Sequence, residues 1–378
     1  MRILVITQGN DAVYGASTSL KLLLRNSGWD FDLVYSRYIF HHTSDEDMKK
    51  YTDYKAGHVY CLFLPFVEKS FLRRQSLYNK LRYAVFRILI FADSFKLRKI
   101  IRKGNYDYIL LNSLVQYPLI NRKNKYIIMI REMCTAKGLL KKKIVSSLNQ
   151  ADRMVYIDPS LKPPLRKVKT KSIVLNNPFD MSSVREISRR QAVQRLPQMD
   201  TEKIVITLAG ILAPQKGTDF VIKAFKKIVR NDILLVIAGN GGDENYNREC
   251  KELAAGCENI CLMEEQKDMR YVYLLTDYVL RADEFFATGR TVYEGLYAGC
   301  NVIIQSDSEK NKKTFQEYRR FQDKIFFYDV RDIKSLASVI ESLPEHKVTE
   351  REFISNIDEY VSRFNEFITG RKRAEGKE

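Results

Sequence analysis

The sequence lacks any long apolar run. No segment of its 378 residues reaches the roughly 18 uninterrupted apolar residues that a membrane-spanning helix needs. The apolar stretch after Met1 is also too short for the core of a secretory signal peptide, and polar residues follow it. We therefore expect a globular protein of the cytosol.

Other features that would define a site are missing too. The 6 cysteines do not have the regular spacing of a disulfide framework, which favours free thiols in a reducing compartment. Cys257 and Cys261 are four apart, but no histidine lies near them, so we predict no metal site. No Ser-His-Asp or HExxH pattern occurs. Gly9 and Gly15 are too far apart for a GxGxxG fingerprint, which argues against NAD binding.

Positive charge is in excess. Lys and Arg total 63 against 46 Asp and Glu, a net charge of +17, which implies an anionic partner. Residues 69–103 concentrate basic and apolar side chains and predict one or two amphipathic helices. Such a helix can pack on its own sheet with a solvated charged face, or lie on an anionic membrane surface. Nucleic acid is a third candidate, but no recognition-helix, zinc-finger or RNA-binding signature supports it.

Short β-branched runs alternate with helical stretches along the whole chain. Several runs, such as Ile233–Ala238, are apolar on both faces, as in parallel strands covered by helices. The pattern predicts an α/β protein with two Rossmann-like domains. We place these domains at residues 1–178 and 179–358, followed by a C-terminal helix and tail at residues 359–378. The predicted strands are Ile3–Thr7, Phe31–Tyr35, His58–Phe63, Tyr108–Leu111, Tyr126–Ile130, Met154–Ile157, Ser172–Leu175, Ile204–Ala209, Ile233–Ala238, Asn259–Leu262, Tyr278–Leu280, Val302–Ile304 and Lys324–Tyr328.

The segment from Gly289 to Gly299 follows a predicted strand. We expect a helix from Thr291 to the end of this segment, so that the glycine loop and the helix N-terminus can hold a phosphate. Arg290 adds a cation with a planar fork of donors. Glu294, about one turn into the helix, could accept hydrogen bonds from both hydroxyls of a ribose. A plain strand-to-helix turn with a solvated glutamate remains the alternative.

Three further turns follow strands in the same way. Gln215-Lys216-Gly217 would project Lys216 towards a diphosphate; the alternative is an ordinary loop lysine, and by itself this motif is weak. Gly239-Asn240-Gly241 suits the surroundings of a nucleotide. Gly15-Ala16 opens the first predicted helix.

Taken in order, these motifs resemble retaining glycosyltransferase family 4, also called glycosyl transferases group 1, which has the GT-B fold. The resemblance covers nearly the whole chain and is stronger in the second domain. The matching motifs are Gly15-Ala16, Asn177-Pro178-Phe179-Asp180, Gly210 with Lys216-Gly217-Thr218-Asp219, Gly239-Asn240-Gly241, and the segment from Gly289 to Gly299.

The resemblance implies two parallel sheets facing a central cleft, a nucleotide-sugar donor, and transfer with retention and without a metal or other cofactor. It implies that Glu294 binds the donor ribose and that Lys216 contacts the diphosphate. The first domain would bind the acceptor, with Arg131 and Glu132 at the end of the strand Tyr126–Ile130, although a surface ion pair is an equal alternative. The residues implied in catalysis are Lys216, Glu294 and Glu132, and those implied in donor binding are Gly15, Ala16, Gly210, Lys216, Gly241, Gly289, Arg290, Thr291 and Glu294.

Two positions depart from the family pattern. Ile211 stands where the family has an arginine five residues before the lysine, and Phe286 stands where it has the first of two glutamates. Glu284 could replace that glutamate only if the loop were rearranged, whereas Arg290 or Arg281 could replace the missing cation.

The function that this resemblance favours is transfer of a sugar from a UDP- or GDP-sugar to a glycan or lipid-linked acceptor, in surface polysaccharide or glycolipid synthesis. The basic segment at residues 69–103 would then attach the enzyme peripherally to the inner face of the plasma membrane. The alternative is a catalytically silent GT-B protein that acts as partner or scaffold of an active glycosyltransferase.

Overall fold

The chain forms two α/β units. The structure is a computed structural model that describes residues 1–7, 15–36, 55–65, 77–241, 243–284, 288–306, 315, 318–345, 348 and 351–370. Unit 1 comprises Met1–Pro178 together with Ile357–Glu378, and unit 2 comprises Phe179–Asn356. The chain therefore leaves unit 1 once and returns to it at its C-terminal end.

Unit 1 is built on a parallel sheet of seven strands in the order β3-β2-β1-β4-β5-β6-β7. The strands are β1 (Arg2–Thr7), β2 (Asp30–Ser36), β3 (Val59–Leu62), β4 (Tyr108–Leu111), β5 (Tyr126–Ile130), β6 (Arg153–Tyr156) and β7 (Ser172–Val174). Its α-helices among the described residues are α1 (Gly15–Asn26), α2 (Leu77–Gly104), α3 (Gly138–Leu148) and the C-terminal helix Ile357–Thr369. A 3-10 helix, Leu114–Leu119, follows β4.

Unit 2 is built on a parallel sheet of six strands in the order β10-β9-β8-β11-β12-β13. The strands are β8 (Ile204–Ala209), β9 (Ile233–Ala238), β10 (Ile260–Met263), β11 (Tyr278–Arg281), β12 (Asn301–Ser306) and β13 (Ile325–Asp329). Its α-helices among the described residues are α4 (Arg189–Arg195), α5 (Thr218–Phe225), α6 (Glu244–Ala254), α7 (Met269–Leu275), α8 (Gly289–Tyr297), α9 (Tyr318–Phe321) and α10 (Ile333–Glu341). The C-terminal helix Ile357–Thr369 is α11.

Each sheet has an apolar core on both faces because successive side chains of a strand point to opposite sides. In β1, Ile3 and Val5 enter one core, and Leu4 and Ile6 enter the other. All four side chains are fully buried. The same alternation divides β8 between two cores. This two-sided burial is the reason why the strands read as continuous apolar runs in the sequence.

The predicted α/β fold with two parallel sheets is confirmed. Every predicted strand is present, and no strand end differs from its predicted position by more than two residues. The prediction for α8 was wrong at its start, because the helix begins at Gly289 rather than Thr291. Gly289 has a positive φ of 65°, and only a glycine adopts this conformation without strain. The helix still ends before Gly299, as predicted, where φ is 78°.

Helix α11 completes the core of unit 1 although it follows unit 2 in the chain. Tyr360, Phe364 and Ile368 are buried among the side chains of that core. The ring of Phe364 lies 5.6 Å from that of Trp29, and the indole nitrogen of Trp29 donates to Asn365 at 2.8 Å. The sequence analysis set this helix apart as a C-terminal element and did not anticipate its packing on unit 1.

The strand order reverses at one place in each sheet. In unit 1 the reversal lies between β1 and β4, and in unit 2 it lies between β8 and β11. Loops that leave neighbouring strands on opposite faces open a crevice at the carboxyl ends of such strands, where α/β sheets hold ligands. None of the helices among the described residues is long and apolar enough to cross a membrane.

Candidate functional site

The loops after β8 and β9 touch each other through glycines. A side chain on Gly239 would collide with the carbonyl oxygen of Gly210, and one on Gly241 with that of Leu212. Gly210 itself has a φ of 133°. The glycines predicted to face a nucleotide therefore also allow the close packing of these two loops at the strand ends.

Lys216 lies at the reversal point of the unit 2 sheet. It ends a short 3-10 helix, Pro214–Lys216, and is followed by Gly217, whose φ of 71° starts helix α5. A side chain on Gly217 would meet the carbonyl oxygen of Ala282. This contact brings the Lys216 turn against the segment that follows β11.

Two cations converge on one carboxylate at this point. The Nζ of Lys216 lies 2.6 Å from Oδ1 of Asp283, and the Nε of Arg281 lies 2.6 Å from Oδ2. The side chain of Lys216 is 38% exposed, whereas those of Arg281 and Asp283 are 14% and 13% exposed. The cluster has a net charge of +1, and Lys216 is its solvent-facing member.

The same arginine reaches the N-terminus of helix α8. The guanidinium of Arg281 occupies the space that a side chain on Gly289 would need, and it donates to Oγ1 of Thr291 at 3.1 Å. Thr288, the residue before the helix, is buried, and its hydroxyl has no hydrogen-bond partner among the described residues. A cation, two hydroxyls and the N–H groups of a helix N-terminus together favour an anion.

Glu294 lies one turn further along α8 and is held by two donors. The Nε of Arg290 lies 2.5 Å from Oε1, and the hydroxyl of Tyr273 donates to Oε2 at 2.9 Å. Burial, and next the Glu294 carboxylate, raise the pKa of Tyr273 well above its ordinary value, so its hydroxyl stays protonated. The guanidinium of Arg290 also lies 4.7 Å from the ring centre of Phe179. Each carboxylate oxygen retains a second acceptor position.

A polar network occupies the reversal point of the unit 1 sheet. Asn112, just after β4, donates to the hydroxyl of Thr7 at 3.3 Å. Arg131, just after β5, donates to Asn112 at 2.9 Å and to Asn177 at 2.7 Å. These side chains tie together the ends of β1, β4 and β5 and the segment that follows β7.

Glu132 is anchored beside this network. Its Oε1 accepts from the hydroxyl of Ser113 at 2.7 Å, and its Oε2 accepts from the backbone N–H of Leu114 at 3.0 Å. It thereby satisfies donors at the start of the 3-10 helix Leu114–Leu119. The structure thus gives Glu132 a capping function and does not pair it with Arg131, its neighbour in the sequence.

Several predicted positions stand apart from these two clusters. Gly15 and Ala16 begin helix α1 in unit 1, where the carbonyl of Gly15 accepts from the hydroxyl of Ser19 at 2.8 Å. Glu284 is exposed, and its backbone N–H donates to the carbonyl of Gln215 at 2.8 Å. Ile211 is 47% exposed. Phe286 lies outside the described residues.

Asp283, Tyr273 and Thr288 of the unit 2 site were missed by the sequence analysis. Asp283 follows β11 by two residues, and its position after a strand end was a usable signal. Tyr273 lies on α7 in a run of apolar residues and is fully buried. Nothing in the local sequence distinguishes it from a core aromatic. Among the described residues, no group of three or more His, Cys, Asp or Glu side chains could hold a metal ion.

Comparison with known proteins finds one family whose sequence pattern part of the chain matches. Residues 189–360 match the family described as glycosyl transferases group 1. No curated protein matches the chain in sequence.

Solved structures match over both units. HepE (Alr3699) of Anabaena, in complex with UDP and glucose, has a TM-score of 0.71 at 12% identity, covering 98% of this chain and 100% of that one. A glycosyltransferase of Rickettsia africae gives 0.66 at 14% identity, with 90% and 87% covered. The lipopolysaccharide outer core galactosyltransferase WaaB gives 0.59 at 13% identity, with 98% and 99% covered. At these identities the likeness shows the fold, which is that of GT-B glycosyltransferases.

The fold and the strand-end site define an α/β protein of the GT-B class. The family match, which spans helices α4 to α10 and the start of α11, shows that residues 189–360 are similar to glycosyl transferases group 1. The resemblance predicted from the motifs in the sequence is thereby confirmed.

Proposed function

We propose that unit 2 binds a nucleotide-sugar donor and that the protein transfers the sugar, with retention, to a glycan or lipid-linked acceptor. The observation that carries this proposal is the convergence of Lys216 and Arg281 on Asp283 beside the N-terminus of α8. Two cations and a helix N-terminus at one strand-end crevice match a diphosphate. UDP is the favoured nucleotide, since HepE structures hold UDP and UDP-glucose.

Arg281 takes the place of the arginine that the family pattern requires at position 211. Ile211 carries no charge, and Arg290 is held by Glu294 and lies over Phe179. Arg281 instead shares the carboxylate of Asp283 with Lys216 and reaches the first turn of α8. A second cation beside Lys216 thus comes from a different strand end.

The roles of the other side chains follow from charge. When the bond to the anomeric carbon breaks, negative charge develops on the departing diphosphate. Preorganised donors stabilise that charge without reorganisation, and here they are Lys216, Arg281 and the N–H groups of α8. Each carboxylate oxygen of Glu294 accepts one hydrogen bond from Arg290 or Tyr273. The remaining acceptor position on each oxygen accepts a hydrogen bond from a ribose hydroxyl.

Unit 1 would bind the acceptor at the carboxyl edge of its sheet. Arg131, Asn112 and Asn177 supply fixed polar groups there, and Glu132 is the acid of that edge. Gly15 and Ala16, at the start of α1, would contact the donor from unit 1. The proposed place of action is the inner face of the plasma membrane, with the chain attached peripherally, in surface polysaccharide or glycolipid synthesis.

The proposal is tested by titrating UDP-, GDP- and TDP-sugars into the protein in a calorimeter. We expect one nucleotide series to bind, and a panel of radiolabelled donors of that series then identifies the sugar. The matched variant Lys216→Ala should weaken binding, whereas Lys223→Ala should not, since Lys223 is in an exposed pair with Asp219. A folded protein that binds no nucleotide sugar would contradict the proposal and favour a catalytically silent partner of another transferase.

A further inference from the structure

Helix α2 carries an apolar face that points away from the core of unit 1. Of the twelve large apolar side chains that are exposed among the described residues, five lie on this helix. They are Leu81, Val85, Ile88, Phe91 and Phe95, with exposures of 61%, 56%, 68%, 64% and 53%. Such a concentration on one helix indicates an interaction surface.

The opposite face fixes the helix to unit 1. Phe86 is fully buried, and its ring lies 5.7 Å from that of Phe63. Asp93 is buried and accepts from the backbone N–H of Phe63 at 2.8 Å, and Leu97 enters the core. The orientation of α2 is therefore set by packing and by a buried hydrogen bond, and its exposed face is held outward.

The exposed residues form one continuous stripe. At 100° per residue, the side chains of Leu81, Val85, Ile88 and Phe95 fall within an arc of about 80°. With a rise of 1.5 Å per residue, positions 81–95 span about 21 Å of helix. This length and width suit a helix that lies in a surface with one side immersed.

The same stripe becomes basic towards the C-terminal end of α2. Lys99, Arg102 and Lys103 continue the face and are exposed, and Lys96 and Arg98 flank it. The only acid in the helix is Asp93, which is buried and paired with Lys96 at 2.8 Å. No exposed acid of the helix offsets the basic charge.

We infer that the outward face of α2 binds an anionic phospholipid bilayer, with residues 81–95 inserted among the lipids and residues 96–103 on the headgroups. Charge complementarity selects this occupant. A second copy of the chain would bring the same basic segment and no exposed acid from α2 to meet it, whereas an anionic bilayer supplies both apolar depth and negative charge. The inference deepens the lipid-linked part of the proposed function but does not depend on donor binding.

The first test is flotation of the full chain with vesicles of phosphatidylcholine alone or with phosphatidylglycerol. We expect binding to the anionic vesicles, weakened in about 1 M salt, where the screening length falls to about 3 Å. The triple variant Lys99→Gln, Arg102→Gln, Lys103→Gln should weaken binding by on the order of 10²-fold. The control Lys142→Gln, Lys143→Gln, Lys167→Gln removes the same charge from exposed lysines elsewhere and should have a much smaller effect.

The second test addresses the apolar stripe. Leu81→Gln, Ile88→Gln, Phe95→Gln should weaken vesicle binding by about tenfold or more. The control Leu139→Gln, Val229→Gln changes side chains that are 83% and 91% exposed elsewhere and should leave binding unchanged. In addition, the tryptophan fluorescence of the variant Ile88→Trp should shift to the blue with anionic vesicles, because the new side chain enters an apolar environment. Trp29, the only natural tryptophan, is 9% exposed and supplies a constant background.

Two outcomes would overturn the inference. One is vesicle binding that is the same for both triple variants and the unaltered chain. The other is a dimer in sedimentation equilibrium that the apolar variant dissociates while vesicle binding is unaffected, which would assign the face to a second copy. Donor titration of the same variants separates this result from a failure of the proposed function, since α2 variants should bind the nucleotide sugar normally.

Discussion

The two sheets have the same strand order around their first strands, yet the carboxyl ends of their strands carry different chemistry. In unit 1, the charged side chains at this edge tie backbone segments together: Arg131 joins two asparagines, and Glu132 caps a 3-10 helix. In unit 2, Lys216 and Arg281 share one carboxylate beside a helix N-terminus, and Lys216 faces solvent. The same fold thus provides an edge tied together by polar side chains in one unit and a cationic edge beside a helix N-terminus in the other.

This difference shows that a charged side chain at a strand end can have either a structural role or a role in a site, and that its position alone does not decide which. What distinguishes unit 2 is the backbone around the charges. Gly217 and Gly289 both have positive φ, and both let a neighbouring group approach where a side chain would collide. Glycines that permit close approach leave N–H groups accessible to a ligand.

The strongest expected effect is that of Lys216→Ala. Loss of one preorganised donor for the developing diphosphate charge should lower turnover by about 10²- to 10³-fold. The fold should be retained, because Asp283 keeps Arg281 at 2.6 Å. Steady-state kinetics and thermal unfolding measure the two properties, with Lys223→Ala as the control. If turnover equals that of the unaltered protein, Lys216 has no role in the reaction.

Glu294→Gln should have the next largest effect. The amide keeps the shape but has one acceptor oxygen instead of two, so donor affinity should fall by about 10- to 100-fold. Calorimetric titration of the nucleotide sugar gives this value. Glu252→Gln is a suitable control, because Glu252 is in an exposed pair with Arg248 at 4.0 Å. Equal affinities for the nucleotide sugar in both variants would contradict a ribose-binding role.

Glu132→Gln tests the other side of the comparison. Weakening a cap should lower the free energy of unfolding by about 1 kcal/mol. We also expect a higher KM for the acceptor and an unchanged KM for the donor. Asp158→Asn is the matched control, because Asp158 caps another 3-10 helix through Ser160 at 2.8 Å. If both variants lose stability and neither changes acceptor kinetics, Glu132 has only the structural role.

The smallest effect concerns a buried acid of the unit 1 sheet. Burial acts to raise the pKa of Asp32, but hydrogen bonds from Tyr106 and His58 outweigh it and hold the pKa below its ordinary value. Arg2 also lies 3.4 Å away. The carboxylate therefore stabilises the fold at neutral pH, and this contribution is lost as pH falls below about 4.

Chemical unfolding of the unaltered protein and of Asp32→Asn at pH 7 and pH 3 measures this contribution. The difference in unfolding free energy between the unaltered protein and Asp32→Asn should be largest at pH 7 and smaller at pH 3. A difference that is the same at both values would mean that the charge of Asp32 does not stabilise unit 1.

Much of the fold followed from local patterns. The strands were predictable because both faces of each sheet are covered, so apolar runs such as Ile233–Ala238 stand out. The site was predictable only in part. Lys216 and Glu294 lie in motifs with glycines at fixed spacing, whereas Asp283 and Tyr273 act through contacts with residues 67 and 21 positions away. Sequence spacing carries no information about such partners.

By itself the sequence determined the alternation of strands and helices, the glycine turns after β8, β9 and β11, and the family that these motifs resemble. These features are local, because backbone conformation and burial pattern are encoded within a few neighbouring residues. Only the tertiary structure decided that Arg281 joins Lys216, that Glu132 caps a helix, that α11 packs on unit 1, and that the apolar face of α2 points outward. Each of these depends on which segments the parallel sheets bring side by side, and that pairing is set by the fold as a whole.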